Sequence, residues 1–462
     1  MTPTATAAPT ARPRTGQASA TPLDRRPAPG ARRGGWPLLP LLASVLLLAV
    51  PAGDTAAGSV YGVPLADVAS GVAVLVCLGR LLFLRRRPLT PAAALVLGLP
   101  AVGLAVATVT ATDPVAALPG FVRYLQIFVL VPAAVLLLVR DAADFRILTG
   151  ALVLLALVQG ATGVHQYVTG SGASYMGEEI RAVGTFGPGD VMGMATVVGY
   201  GLLAAAAYAY RPGAVRPGWR VPCALGAAAA LVVPLTLSFS RGAWIATAAG
   251  AAAMILLTGA RQALRTLAVL GAASVVLVGG FGVGSQMLSQ RLSSITEVTS
   301  APDRSVTDRY TMWAAAAGMW RERPVTGVGL KAFPAHRDGH SSIGLSAGSD
   351  TAGAGQEFVR QPLLSPHNMY LLVLGEQGLV GFTALVGGWA ALLVAGVHRL
   401  VRARARGAAA VDCGLAAVGL TVWQCVDFLY ADIGGPSTVL TGVVLGLAVW
   451  WALAAPERTA AA

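Results

Sequence analysis

Long apolar runs alternate with short polar connections over most of this chain. The runs fall at about 36–53, 60–84, 90–110, 119–139, 146–168, 188–209, 221–238, 243–259, 265–283, 368–396, 408–430 and 436–454. They are continuous, without the period-two alternation of half-buried strands, and about 20 helical residues cross a bilayer. Only helices and closed barrels satisfy their backbone in lipid. The pattern predicts an all-α polytopic transmembrane bundle of about twelve spans. Two stretches stand apart. Residues 1–35 are rich in Ala, Pro, Thr and Arg and too poor in apolar area to fold, so a disordered tail is expected. Residues 284–367 form one long polar loop between the ninth and tenth spans. The expected order is tail 1–35, spans over 36–283, loop over 284–367, spans over 368–455 and a short tail 456–462.

Composition agrees with a membrane protein. Of 462 residues, 55% are hydrophobic and 12% charged, where a soluble domain carries roughly a quarter. The net charge of +12 would suit nucleic acid, but the arginines are placed otherwise. Even-numbered connections hold Arg85-Arg86-Arg87, Arg140 and Arg146, Arg211, Arg216 and Arg220, Arg261 and Arg265, and Arg399, Arg402, Arg404 and Arg406. The odd connections, the long loop apart, are poor in Lys and Arg. That alternation sets orientation in a membrane. It predicts a multi-pass protein of the cytoplasmic membrane with both termini cytoplasmic, the long loop outside, and no nucleic-acid partner. Cys77, Cys223, Cys413 and Cys425 all lie in apolar runs and lack metal-ligand spacing. They read as small core residues without a disulfide.

Polar groups at a membrane edge are expensive and need a reason. Arg181 precedes the sixth span in Arg181-Ala182-Val183-Gly184-Thr185-Phe186-Gly187. Arg241 sits in the tight turn Ser238-Phe239-Ser240-Arg241-Gly242, and Arg309 in Asp308-Arg309-Tyr310-Thr311-Met312-Trp313. All three fall on the outer side of the predicted topology. Guanidiniums with few acids beside them suit an anion with several oxygens, such as a diphosphate. Each is alternatively an interface anchor or a helix cap. His367, at the mouth of the tenth span beside Asn368, suits a general base taking a proton from a hydroxyl; the other reading is a capping or packing histidine. His336 and His340 fall mid-loop and read as structural. Glu376, on the apolar helix below His367, needs a partner, and one of the arginines would serve. Tyr310, Trp313 and Trp320 either stack on sugar faces or float the loop at the interface. Asp190 and Asp427 lie at or in apolar spans without an assigned role. Asp54 and Asp113 are isolated, so no clustered carboxylates offer a divalent cation its oxygens, and neither metal nor cofactor is expected.

In order, these pieces resemble the O-antigen ligase and O-antigen polymerase superfamily of bacterial membrane glycosyltransferases, over about residues 180–385. The resemblance rests on the Arg181 segment, the Leu237–Gly242 turn, Arg309 with Trp313, Trp320-Arg321-Glu322-Arg323-Pro324-Val325-Thr326-Gly327-Val328-Gly329, and His367-Asn368 with Tyr370, Glu376, Gly378 and Gly381. It implies a GT-C-like enzyme that moves a glycan from a polyprenyl-diphosphate carrier to a hydroxyl of a glycan or glycolipid acceptor outside the cytoplasmic membrane. Arg241, Arg309 and His367 match the family's essential arginines and histidine, with Arg181 a third arginine. Arg181, Glu376, Tyr310 and Trp313 are then candidates for substrate binding. The motifs do not separate ligases from polymerases. A flippase or exporter of a lipid-linked or anionic substrate is the competing class, since it too places arginines in the membrane.

Overall fold

The computed structural model describes residues 36–51, 59–60, 63–84, 89–175, 181–187, 190–210, 218–261, 263–265, 304–342, 345, 349–353, 356–361, 363–408 and 410–454. Residues 37–462 form one compact unit. The tails and the run at 265–283, its first residue apart, lie outside the described residues.

The fold is helical. Helix α1 (Leu39–Leu46) carries a 3-10 turn at each end and is followed by a two-residue hairpin, β1 (Ser59–Val60) with β2 (Val63–Pro64). Then come α2 (Leu65–Leu84) and α3 (Pro91–Val109). Next, α4 (Pro114–Leu125) and α5 (Val131–Leu138) are joined through a π turn at Gln126–Leu130, and α6 (Ala142–Thr169) follows. After the short strand β3 (Ala173–Tyr175) lie α7 (Gly193–Ala209), α8 (Arg220–Leu237) and α9 (Arg241–Leu257). The long loop holds α10 (Arg304–Glu322), α11 (Phe333–His340), and a hairpin of β4 (Ser349–Gly353) and β5 (Gln356–Gln361). The chain closes with α12 (Met369–Ala405), α13 (Val411–Asp427) and α14 (Val439–Leu453).

Among the described residues seven helices are long and apolar enough to span a membrane: Leu65–Phe83, Pro91–Val109, Pro114–Leu138, Ala142–Thr169, Arg220–Leu237, Met369–Ala405 and Pro436–Leu453. Three further apolar helices, Trp36–Ala49, Gly193–Ala209 and Arg241–Leu257, are shorter. The expected count of about twelve is not confirmed among the described residues, which leave out nearly all of the run at 265–283. Apolar runs that look alike in sequence form helices of unequal length, and α13 stops after 17 residues at Asp427. The last apolar helix is the central post, with 83% of its window buried, whereas only 17% of the α8 window is covered. The post comes close to α5 because Gly442 and Gly446 lack side chains: a Cβ at Gly446 would stand 2.5 Å from Val135 Cβ. Its indoles are satisfied, with Trp450 donating to Val139 O at 2.9 Å and Trp451 to Gly396 O at 3.0 Å.

The two ends of the bundle differ. One end is laced by arginines. Arg146 pairs with Asp412 at 2.7 Å and Arg140 with Asp144 at 2.7 Å. Arg404 donates to Leu257 O at 2.6 Å and Arg399 to Ala454 O at 2.9 Å. The other end gathers the polar connections of interest. Ala182 N–H donates to Leu237 O at 3.2 Å, and Met369 N–H to Phe428 O at 2.9 Å. Ser437 N–H donates to Asp190 Oδ2 at 3.1 Å. The 181–187, 238–240, 366–368 and 428–438 segments therefore stand together.

Candidate functional site

His367 occupies a turn that its neighbours impose. Its φ is +47°, a region that costs a residue with a Cβ but that histidine enters more readily than most. Such strain persists only where the surroundings over-determine it. Here Trp313 Nε1 donates to Pro366 O at 2.8 Å on one side. On the other, Asn368 caps α12 by accepting from Leu371 N–H at 3.0 Å and donates to Leu429 O at 3.1 Å. Met369 N–H is shared between Phe428 O and Ala431 O, at 2.9 and 3.1 Å. The imidazole is thus pressed against the α13–α14 turn. Burial holds its pKa below the ordinary histidine value; the Asp432 carboxylate opposes this and the Arg309 guanidinium adds to it. Charges of opposite sign thus act on one imidazole. Asp432 Oδ2 is itself buried with no hydrogen-bond partner among the described residues.

Arg241 is the first residue of α9, behind a turn in which Phe239 has φ +50°. Ser240 caps the helix by accepting from Ala243 N–H at 3.2 Å, and Trp244 Nε1 closes the turn on Leu235 O at 2.7 Å. Gly242 lies against the α13–α14 turn: a Cβ there would stand 3.1 Å from Tyr430 Cβ. Arg241 is exposed. The structure so brings the Arg241 turn and the His367 turn onto the same connection. Arg181 joins them through the backbone, exchanging bonds of 2.8 and 3.0 Å with Ala173, while the next residue bonds Leu237. Strand β3 also pairs with β4 of the long loop, which ties that loop to the Arg181 segment.

Helix α12 is broken at Gly378, with φ +61° and ψ −160°. The stretch after α10 fills the break. Val328 N–H donates to Gly375 O and Gly329 N–H to Glu376 O, both at 3.0 Å. In return Leu379 N–H donates to Pro324 O at 2.9 Å and Val380 N–H to Val325 O at 3.1 Å. Only glycine fits at Gly327, where a Cβ would stand 2.3 Å from the Glu376 carbonyl carbon. Glu376, 1% exposed, is where the sequence expectation of an arginine partner fails. Its Oε1 accepts from Phe333 N–H at 3.0 Å, and the nearby cation is Lys331. Lys331 has φ +60° and stands over the Tyr124 ring, 5.5 Å from the centroid. Phe239, Lys331 and His367 are the non-glycine residues with positive φ among those described; the first and last lie in the Arg241 and His367 turns, and Lys331 lies beside the α12 break.

Trp313 spends its N–H on Pro366, and Tyr310 packs edge-on against it at 5.5 Å while staying 62% exposed. His336 and His340 lie on α11; the former faces Ala332 O at 3.1 Å and the latter Glu322 at 3.0 Å. Asp190 binds Ser437, whereas Asp427 is buried at the end of α13. All four cysteines are free; Cys77 and Cys413 are buried, Cys425 half-buried, and Cys223 exposed on α8, against the expectation of a core position. Sequence reasoning missed Asp432, Lys331 and Tyr124. Asp432 sits in the short connection Ala431–Pro436, which reads only as poor in Lys and Arg. Lys331 follows the glycine-rich segment directly.

Residues 226–386 match the family model of O-antigen ligase. The match places this stretch in the O-antigen ligase and polymerase superfamily that the motifs resemble, and supports a membrane enzyme of that type. It contains Arg241, Arg309, His367 and Glu376, and excludes Arg181 and Asp432. No curated protein matches the chain.

Proposed function

With an O-antigen ligase domain as premise, we propose that this protein transfers a glycan from a polyprenyl-diphosphate carrier to an acceptor hydroxyl at the outer face of the cytoplasmic membrane, without a metal ion. The observation that carries this reading is the setting of His367: a half-buried imidazole in a left-handed turn, held against the α13–α14 turn that also meets Gly242 beside Arg241, and acted on by the charges of Arg309 and Asp432. Neutral His367 accepts the proton of the acceptor hydroxyl. The hydroxyl oxygen attacks the anomeric carbon with inversion as the bond from that carbon to the diphosphate oxygen breaks. Negative charge grows on the leaving diphosphate. Arg309, Arg241 and Arg181 meet it with fixed positive charge, the device that most lowers such barriers. Asp432 stabilises the imidazolium that forms. Products are polyprenyl diphosphate and the extended acceptor. Tyr310 is exposed enough to meet a sugar face, and Trp313 serves the His367 turn. The arginine-laced opposite end of the bundle supports a cytoplasmic placement of that end.

One observation favours a carrier: transporters use broken helices at their binding sites. Here the break in α12 is filled by the chain's own Pro324–Gly329 segment. Purified protein supplied with a polyprenyl-diphosphate glycan and an acceptor separates the two readings. The enzyme releases free polyprenyl diphosphate. A carrier moves the donor across vesicles uncleaved.

A further inference from the structure

The α12 break lies at the far end of a helix pair whose near end is the candidate site. Helices α10 and α12 run side by side in the same direction. Trp313 meets Pro366, Ala316 meets Gly375 where a Cβ would stand 3.2 Å from its carbonyl oxygen, and Pro324 bonds Leu379. Arg309 lies one turn above Trp313 on α10, and His367 leads into α12. Sliding or rotating one helix against the other would change the spacing of Arg309 and His367. What fixes the pair lengthwise is the insertion of Pro324–Phe333 into the break. Glu376 sits inside it, buried, its Oε1 accepting from Phe333 N–H at 3.0 Å while Oε2 has no hydrogen-bond partner among the described residues. It is about 14 Å along the helix from His367, out of reach of a group reacting there.

We infer that Glu376 is a positioning residue: by accepting from Phe333 N–H in the break, it sets how far α10 descends along α12 and so the spacing of Arg309 and His367. This rests on the glycosyl-transfer reading above. It assigns Glu376 no contact with substrate. A buried carboxylate in a spanning helix is costly, and here one of its oxygens is tied to the inserted segment through Phe333 N–H.

Two conservative variants separate reach from charge. Glu376→Gln keeps an oxygen at the same reach and loses the charge. Glu376→Asp keeps the charge and withdraws the oxygen by one methylene. Glu376→Ala removes both. The full-length protein in detergent is assayed with a polyprenyl-diphosphate glycan, with His367→Ala beside it as a control. The inference predicts kcat within about threefold of wild type for Glu376→Gln. It predicts a fall of about 100-fold for Glu376→Asp and Glu376→Ala, the scale of an ångström-size misplacement at a site. The donor KM stays within about threefold in all three. Glu376→Gln and Glu376→Asp both keep a polar side chain and decide the matter even where Glu376→Ala does not insert. Retained activity in Glu376→Asp with loss in Glu376→Gln would overturn the inference in favour of a charge role. A raised donor KM with kcat kept would make Glu376 a substrate ligand. Full activity of all three beside an inactive His367→Ala would remove the inference alone. Full activity of His367→Ala would remove the reading beneath it.

Discussion

In the proposed mechanism His367 must be neutral to take a proton, so its protonation sets the acidic limb of the rate. Burial holds the imidazole below the ordinary histidine pKa, which carries the limb of kcat/KM to lower pH than a solvent-exposed histidine would give. The neighbours push in opposite senses. Removing the carboxylate in Asp432→Asn removes a charge that favours imidazolium, and the limb moves further down. Removing the cation in Arg309→Ala moves it up. A pH profile of the three proteins checks both signs. His367→Ala is expected to lower kcat by about 100-fold or more with donor KM little changed, the usual scale for losing a positioned base. As a candidate, this histidine was legible in sequence because a polar residue beside an asparagine opened a long apolar run. Its acid partner was not, because Asp432 comes 65 positions later and only the fold brings the α13–α14 turn against it.

At the scale of elements, the break in α12 is the feature that sequence hides. Gly327, Gly329 and Gly378 stand in plain view, but glycine in a membrane helix has many uses. That Pro324–Gly329 would pair with the helix it precedes needs the long-range register. The left-handed φ of Gly378 makes the break testable: in Gly378→Ala the added Cβ would stand 2.4 Å from Val325 O in an unfavourable backbone region. The expected outcome is a loss of at least about 1 kcal/mol, read as a lowered midpoint of thermal unfolding in detergent. Asn368→Ala removes the N-cap of α12 and a bond to Leu429. A loss of about 1 kcal/mol is expected there, with a fall in kcat, since the same residue holds the His367 turn. The small sheet of β3, β4 and β5 was also invisible, since its strands come from segments far apart and short.

For the whole molecule, the membrane class followed directly from the apolar runs, and the helices fall where those runs do. Among the described residues seven helices reach spanning length, so the count of about twelve is not confirmed. A run of hydrophobic residues states that a helix is apolar; whether it crosses depends on length after caps and turns are taken out. Separating the two ends succeeded because arginine placement is a property of connections. The arginine-laced end holds Arg140, Arg146, Arg399 and Arg404, and the candidate site lies at the other end. Single cysteines introduced at Thr112 and at Ala408 are expected to react with a membrane-impermeant thiol reagent from opposite sides of the membrane, Thr112 from outside intact cells.

In the proposed mechanism the guanidiniums of Arg181, Arg241 and Arg309 hold a diphosphate while a glycosyl bond breaks beside His367. The direct measurement is release of polyprenyl diphosphate from a lipid-linked glycan, with an acceptor present, by the purified wild-type protein and by Arg241→Ala. Wild type is expected to release it, and Arg241→Ala, inserted normally, to do so at least about 100-fold more slowly, as for loss of one charge-stabilising group. Equal release by both proteins, or no release by wild type while the intact donor crosses the membrane, would contradict the account.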